Sequence, residues 1–199
     1  TVDATDLCPR YIAHYVTDVK IAESPAWMKR RLALVGCESI SNIVDITNYI
    51  LKELGQPMHA FDCNYLEGNA INVRCAGDGE KIVALNEKEY VLDSSNLVIC
   101  DGVKPVAIAG VMGGLNSEIR DTTTEVMFEC AKFARDNVRK TSRALGLISD
   151  ASSRYSKGVD EYATVMAIDR ALHLIEELGC GKVASTRCDA NTSNSVEPR

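Results

Sequence analysis

The feature that most constrains the fold is a change of hydrophobic period in the middle of the chain. From Ala70 to Val111 the short apolar runs INVRC, KIVAL, YVL, LVIC and VAIAGV are separated by Gly, Asp and Asn turns. Apolar residues there recur at a period of two, which is the signature of strands joined by tight turns. Tyr11 to Val19, rich in aromatic and β-branched residues, reads as a strand before this region, and Glu125 to Cys130 as one after it.

Helical spacing surrounds the sheet region. Ser24 is expected to be an N-cap and Pro25 the first helical residue of a helix through Trp27 to Val35 that stops at Gly36. Ser41 or Asn42 opens a second helix that ends at Gly55, and its Ile43, Ile46, Ile50 and Leu54 fall three and four apart as one buried stripe. Asn137 to Leu145 and Tyr162 to Leu178 return to helical spacing, the latter through Val165, Ile168, Leu172 and Ile175 before Gly179. Strands segregated from helices predict an α+β fold. Residues 1–190 are expected to form one domain, and 191–199, with the composition of a linker, to lead away from it.

The length of 199 residues suits about one domain, and no apolar run approaches the roughly 20 residues of a membrane span. A membrane role is therefore not expected. The net charge of −6 argues against strong nonspecific nucleic-acid binding while leaving room for a local basic patch. Eight cysteines, at positions 8, 37, 63, 75, 100, 130, 180 and 188, are scattered without a C-x-x-C pair or a Cys and His pair at zinc-finger distance. Cys100 in LVIC and Cys130 in MFECAKF read as buried small hydrophobes of a reduced chain, so a cytoplasmic location and no bound metal are expected. Thr1 follows no initiator methionine and no signal peptide is visible, which suggests a piece of a longer protein.

Candidate chemistry is sparse. His59, in QPMHAFD, follows a helix stop and a proline in a segment that cannot continue a helix and reads as a loop. His173 on the last helix reads as packing or surface, and His14 as a strand residue. AGVMGG at Ala109 to Gly114 reads as a turn with open backbone amides, but its spacing fails both the dinucleotide and the phosphate-loop patterns. No nucleophile elbow or catalytic cysteine motif is present. Glu129, within the apolar strand VMFECAKF, either points into a pocket or faces outward at an edge. Arg135, Arg139 and Arg143 lie four apart and form a basic stripe that suits an RNA backbone, with a solvated face as the alternative.

Together, several segments resemble one family, the tRNA-editing module of the bacterial phenylalanyl-tRNA synthetase beta subunit. The resemblance runs through CPRY (8–11), SPAW (24–27), VDITNYIL (44–51), LGQPMHAFD (54–62), AIAGVMGG (107–114), FECAKF (128–133), DASSRYSKGVD (150–160) and the closing helix, in the family's order. It implies sheets covered by helices in a single compact module, and an activity that hydrolyses tyrosine wrongly esterified to the phenylalanine tRNA. It implies as partners the acceptor end of that tRNA and the synthetase alpha subunit in a heterotetramer. ATP and magnesium chemistry would belong to the full synthetase, with no cofactor in this fragment.

By the same resemblance His59 matches the editing histidine, Asn48 a pocket asparagine, and Glu129 the acceptor of tyrosine's hydroxyl. Gly113 and Ala151 match small residues that shape the cavity. With no nucleophile in the set, the implied step is direct attack of a positioned water on the ester. The chain departs from the family at Glu38, where an arginine is usual, at Ser149, where a threonine is usual and a hydroxyl is retained for substrate, and at Ser156 and Lys157, in place of glutamate and arginine. The alternative functions are a non-hydrolytic tRNA-binding module and a structural module of the same subunit.

Overall fold

Side-chain alternation along one strand sorts the whole interior. In the computed structural model, which describes residues 1–192, strand β9 (Val126–Lys132) sends Val126, Phe128 and Cys130 to one face and Met127, Glu129 and Ala131 to the other. β9 lies inside a four-stranded antiparallel sheet of order β10-β1-β9-β2, where β1 is Arg10–Thr17, β2 Met58–Asp62 and β10 Lys182–Asn191.

Three helices cover the first face. They are α1 (Ala26–Leu34), α2 (Asn42–Leu54) and, late in the chain, α5 (Ala163–Leu178). Met28, Leu32, Ile43, Ile46, Ile50, Ile168 and Ile175 meet Ile12, Val16 and Phe128 there in one buried core. The second face meets another antiparallel sheet, of order β3-β6-β7-β8, formed by Asn72–Cys75, Leu97–Cys100, Pro105–Ile108 and Met112–Gly113. Tyr11, Phe61 and Ala131 join Val73, Ile99, Val106 and Ile108 in a second core between the sheets. The small hairpin β4 (Lys81–Val83) with β5 (Glu89–Val91), the helices α3 (Arg135–Ala144) and α4 (Asp150–Tyr155), and short 3-10 turns at Cys63–Tyr65, Glu67–Asn69 and Leu115–Ser117 join these elements. The fold is α+β, as the periodicity predicts, with α1, α2 and α5 on the outer face of the first sheet and α3 and α4 packed, through Val138 and Tyr155, on the core of the second.

Several local expectations need correction. Pro25, with ψ at 151°, occupies the cap position of α1, so the helix begins one residue later than expected and Ser24 is not the cap. The Ser24 hydroxyl instead donates to buried Asp45 (2.5 Å), which also accepts from the Ser39 hydroxyl and from the Ile40 amide at 2.8 Å. One carboxylate thus ties the entry of α1 and the α1–α2 connection to α2. Asp45→Ala is expected to leave those donors unpaired and to cost about 3 kcal/mol. Urea unfolding followed by the fluorescence of Trp27, the one tryptophan, measures it.

The segment after α2 is a strand rather than a loop. Gly55, at φ 74°, ends the helix in the left-handed conformation, and three residues later β2 begins and pairs antiparallel with β9. Two elements carry no sequence expectation. α4 is a polar single turn and a half whose start depends on reciprocal capping between Ser149 and Ser152. β10 is a mostly exposed edge strand with little alternation to announce it, and it runs through Asn191. Residues 193–199 of the expected linker lie outside the described residues.

Candidate active site

The strand register brings two sequence-predicted residues face to face. His59 on β2 is paired directly with Glu129 on β9, and both side chains point between the two sheets. Glu129 is therefore no outward-facing edge residue: it is 5% exposed on an interior strand, and its Oε2 is sealed from solvent without a hydrogen-bond partner. Burial pushes its carboxyl pKa up to about 8, a rise that the nearby Tyr11 hydroxyl partly opposes without reaching hydrogen-bond geometry. At neutral pH the carboxyl is mostly protonated.

His59 is half-buried, but its Nε2 is closed off from solvent and has no partner. Desolvation lowers its pKa to about 4, so the imidazole is neutral at physiological pH. Its ring is clamped. Phe61 packs edge-on against it at 4.5 Å between centroids, and Gly113 of β8 lies so close on another side that a Cβ there would fall 2.4 Å from Cε1.

The pair lines a cavity of about 60 Å³ together with Gly113, Ala151, Tyr155 and Ile99. It adjoins a cleft of about 370 Å³ whose walls include Asn48, Ser149, Asp150 and Ala151, with Met58 and Met112 lining both spaces. A second groove of about 380 Å³ meets this cleft at Asn48 and reaches His59 from the side of Ile40, Val44 and Ile119. His59, Glu129, Gly113 and Ala151 therefore share one cavity, whereas Asn48 stands in the adjoining cleft. The Asn48 amide makes no hydrogen bond among the described residues. Lys52 of α2 pairs with Asp150 of α4 at 2.6 Å across the cleft.

Ser149 lines the cleft, where its hydroxyl also has structural partners. Its hydroxyl donates to the Val111 carbonyl at 2.6 Å and accepts from the Ser152 amide at 3.0 Å, so its one proton is already committed. It anchors α4 to the segment that carries Gly113. The three arginines of α3 are all exposed, but Arg135 and Arg139 both reach Asp136, and none of the three borders the cavity, the cleft or the groove. Glu38 is exposed and borders none of them either. His14 bonds the Ala184 carbonyl through Nε2 (2.9 Å), and His173 faces Glu177 at 3.8 Å on the surface of α5.

Sequence reasoning missed the support beneath the pair. Gln56, 1% exposed, donates to the Pro57 and Ala131 carbonyls at 3.0 Å, and Tyr155 donates to Ala131 at 2.9 Å. These bonds fix the start of β2 against β9 one residue before Met58. The one signal was a glutamine wedged between a helix-stopping glycine and a proline, too short a pattern to read. Among the described residues no cluster of three or more His, Cys, Asp or Glu could hold a metal, and all eight cysteines are free thiols.

Residues 7–180 match the family model described as the B3/4 domain. The chain belongs to the B3/4 domain family. This B3/4 domain is 50% identical over 184 residues to the phenylalanine–tRNA ligase beta subunit of Syntrophus aciditrophicus, covering 92% of the chain and 23% of that relative. It is 49% identical over 188 residues to the subunit of the same name from Geobacter metallireducens, covering 94% and 24% respectively. The domain thus spans about a quarter of the length of the curated relatives it matches. Its fold is similar to that of an N-terminal fragment of the phenylalanyl-tRNA synthetase beta subunit from Pyrococcus horikoshii, with a TM-score of 0.61 at 11% identity, covering 94% of this chain and 52% of that one. No described helix is long and apolar enough to cross a membrane.

The opposed shifts of the pair have a calculable effect on stability. Glu129 ionises near pH 4.5 when unfolded and near 8 when folded, so across that window the folded state holds the extra proton and stability falls by about 1.4 kcal/mol per pH unit. His59 behaves oppositely between about 4 and 6.5, where the unfolded state holds the extra proton and stability rises with pH. The two slopes cancel between 4.5 and 6.5, and above 6.5 the Glu129 slope stands alone. Glu129→Gln removes that slope and leaves the one from His59. Its stability relative to the parent is expected to rise by roughly 3 kcal/mol from pH 5 to 7.5. Urea midpoints at a series of pH values test this, and a constant difference would refute it.

Proposed function

We propose that this B3/4 domain is the hydrolytic editing region of a phenylalanine–tRNA ligase beta subunit and removes tyrosine from mischarged phenylalanine tRNA. The observation that carries the reading is the buried Glu129 carboxyl, whose Oε2 has no hydrogen-bond partner, at the inner end of a cavity walled by His59 and Gly113. A synthetic pocket made for phenylalanine rejects an added hydroxyl only about a hundredfold, by analogy with other synthetases, so a second sieve is required. An inner acceptor that needs the hydroxyl reverses the preference, since phenylalanine would leave it unpaired.

In this reading the tyrosyl side chain enters from the outer cleft and its phenol meets Glu129. The cavity, at about 60 Å³, is smaller than the roughly 150 Å³ that holds benzene in an engineered core. Met58 and Met112 line both cavity and cleft, and rotation of their flexible thioethers is what admits the ring. The ester then lies near His59 with the terminal ribose toward the free amide of Asn48. Water attacks the ester carbonyl, the bond to the ribose oxygen breaks, and tyrosine and the free tRNA end are released. Neutral His59 is a poor proton acceptor at pH 7, so it acts by orienting water and ribose.

The partners are the acceptor end of phenylalanine tRNA and, in the whole enzyme, an alpha subunit that completes a heterotetramer in the cytoplasm. The whole ligase, with ATP and magnesium, carries the aminoacylation that this region proofreads. The test is deacylation by the full-length enzyme of phenylalanine tRNA charged with tyrosine or with phenylalanine. Rapid loss of tyrosine with phenylalanine spared is expected; equal loss at the spontaneous rate would overturn the reading.

A further inference from the structure

Behind Glu129, away from the cavity, lies a second buried hydroxyl with nothing to bond. Tyr11 of β1 is paired with Ala131 and Ala13 with Glu129, so Tyr11 is the diagonal neighbour of Glu129 on the same face of the sheet. It is 5% exposed, its hydroxyl is sealed from solvent, and no donor or acceptor satisfies it. Tyr155, by contrast, commits its hydroxyl to a backbone carbonyl, and Tyr49 accepts from Arg31. An orphaned phenol in a core is unfavourable unless it finds a partner in some state of the protein.

We propose that Tyr11 is a positioning residue for tyrosine selectivity: its hydroxyl clasps the Glu129 carboxyl from behind, so that the opposite edge of that group meets the phenol of the substrate. The inference rests on the hydrolytic reading of the site. The carboxyl has two edges, and in the free domain its Oε2 is sealed from solvent with no partner in hydrogen-bond geometry. A phenol arriving from the cavity supplies one donor and Tyr11 the other. With both in place the carboxyl is held in one orientation, whereas an arriving phenyl ring leaves the cavity edge empty. Tyr11 does not line the cavity, so it acts only through Glu129.

The other groups that face this carboxyl offer no substitute. Cys8, before β1, is a buried thiol whose burial and proximity to Glu129 both raise its pKa; Tyr155 on α4 is committed to Ala131; and His59 on β2 is neutral. Cys130 points to the opposite face, and the facing strands β6 and β7 present Ile99, Ala107 and Ile108. No cation is among them, which leaves Tyr11 as the one neighbour that lowers the carboxyl pKa.

The experiment places Tyr11→Phe in the full-length enzyme. Removing an unpartnered hydroxyl while keeping its ring is expected to leave the unfolding midpoint unchanged. The ratio of kcat/KM for tyrosyl over phenylalanyl ester should nevertheless fall about tenfold, the effect of losing one hydrogen bond to a charged or shared-proton group. The apparent pKa of the tyrosyl reaction assigned to Glu129 should move upward, which mere loosening of the core would not produce. If the parent enzyme deacylates tyrosyl-tRNA and Tyr11→Phe keeps both the parental ratio and pH profile, the proposal for Tyr11 falls and the editing reading stands. If the parent itself fails to deacylate it, both fall.

Discussion

Alanine at Glu129 is expected to slow hydrolysis of the tyrosyl ester at least tenfold, about 1.4 kcal/mol in transition-state terms, while the residual rate on the phenylalanyl ester is unchanged or higher. The carboxyl is the acceptor assigned to the phenol at the inner end of the cavity, and its truncation leaves apolar walls of Ile99, Ala107 and Ile108. Those walls no longer penalise a plain ring, so the preference between the two esters collapses. The domain should still fold, because Glu129 Oε2 has no hydrogen-bond partner in the chain and burial of the carboxyl opposes its ionisation at neutral pH. Steady-state deacylation of both charged tRNAs by the full-length variant measures the effect. Parental rates with an unchanged preference would remove Glu129 from substrate recognition.

The legible parts of this protein are those in which one residue type has one physical use. Ile43, Ile46 and Ile50 at helical spacing fixed the buried face of α2, and Gly55 and Gly179 both end their helices at positive φ. The alternation around Glu129 marked a strand but left its polarity open, because periodicity says which residues share a face and nothing about which face is covered. That was settled by β1 and β2 flanking β9 on both edges and by the second sheet lying over Glu129. Ser24 misled through the same ambiguity: a serine before a proline suits an N-cap, yet a buried carboxylate 21 residues later bonds it more strongly.

The pairing of His59 with Glu129 lay beyond any local pattern, since it depends on the register of two strands separated by the whole second sheet. Resemblance brought both residues to one site, whereas the residues by themselves indicated a loop histidine and an undecided glutamate. Ser149 shows the converse. A hydroxyl at a pocket position reads as a substrate contact, and only the structure shows that the Val111 carbonyl and the capping geometry of α4 take up its proton and one of its two lone pairs.

Gly113→Ala tests the remaining wall of the site, and its signature differs from that of Glu129. Gly113 does not have a positive φ, so alanine is compatible with the backbone and the fold should survive. The new methyl group, however, would lie 2.4 Å from Cε1 and 2.7 Å from Nε2 of His59, with Leu85 at 3.2 Å closing the same space. Phe61 packs against the imidazole at 4.5 Å, which leaves the groove beside Ile40 and Val44 as the space into which the ring can yield. His59 must therefore turn away from the ester, and a displacement of about 1 Å in a group that orients a reaction is enough for a hundredfold loss. Tyrosyl hydrolysis should drop by one to two orders of magnitude. Because His59 is assigned to the ester and not to the phenol, the slow reaction of the phenylalanyl ester should drop in proportion, leaving the preference intact. Equal loss on both substrates, with a parental unfolding midpoint, is the expected result; a variant that lost only the tyrosyl reaction would show that His59 contributes to recognition of the side chain rather than to attack on the ester.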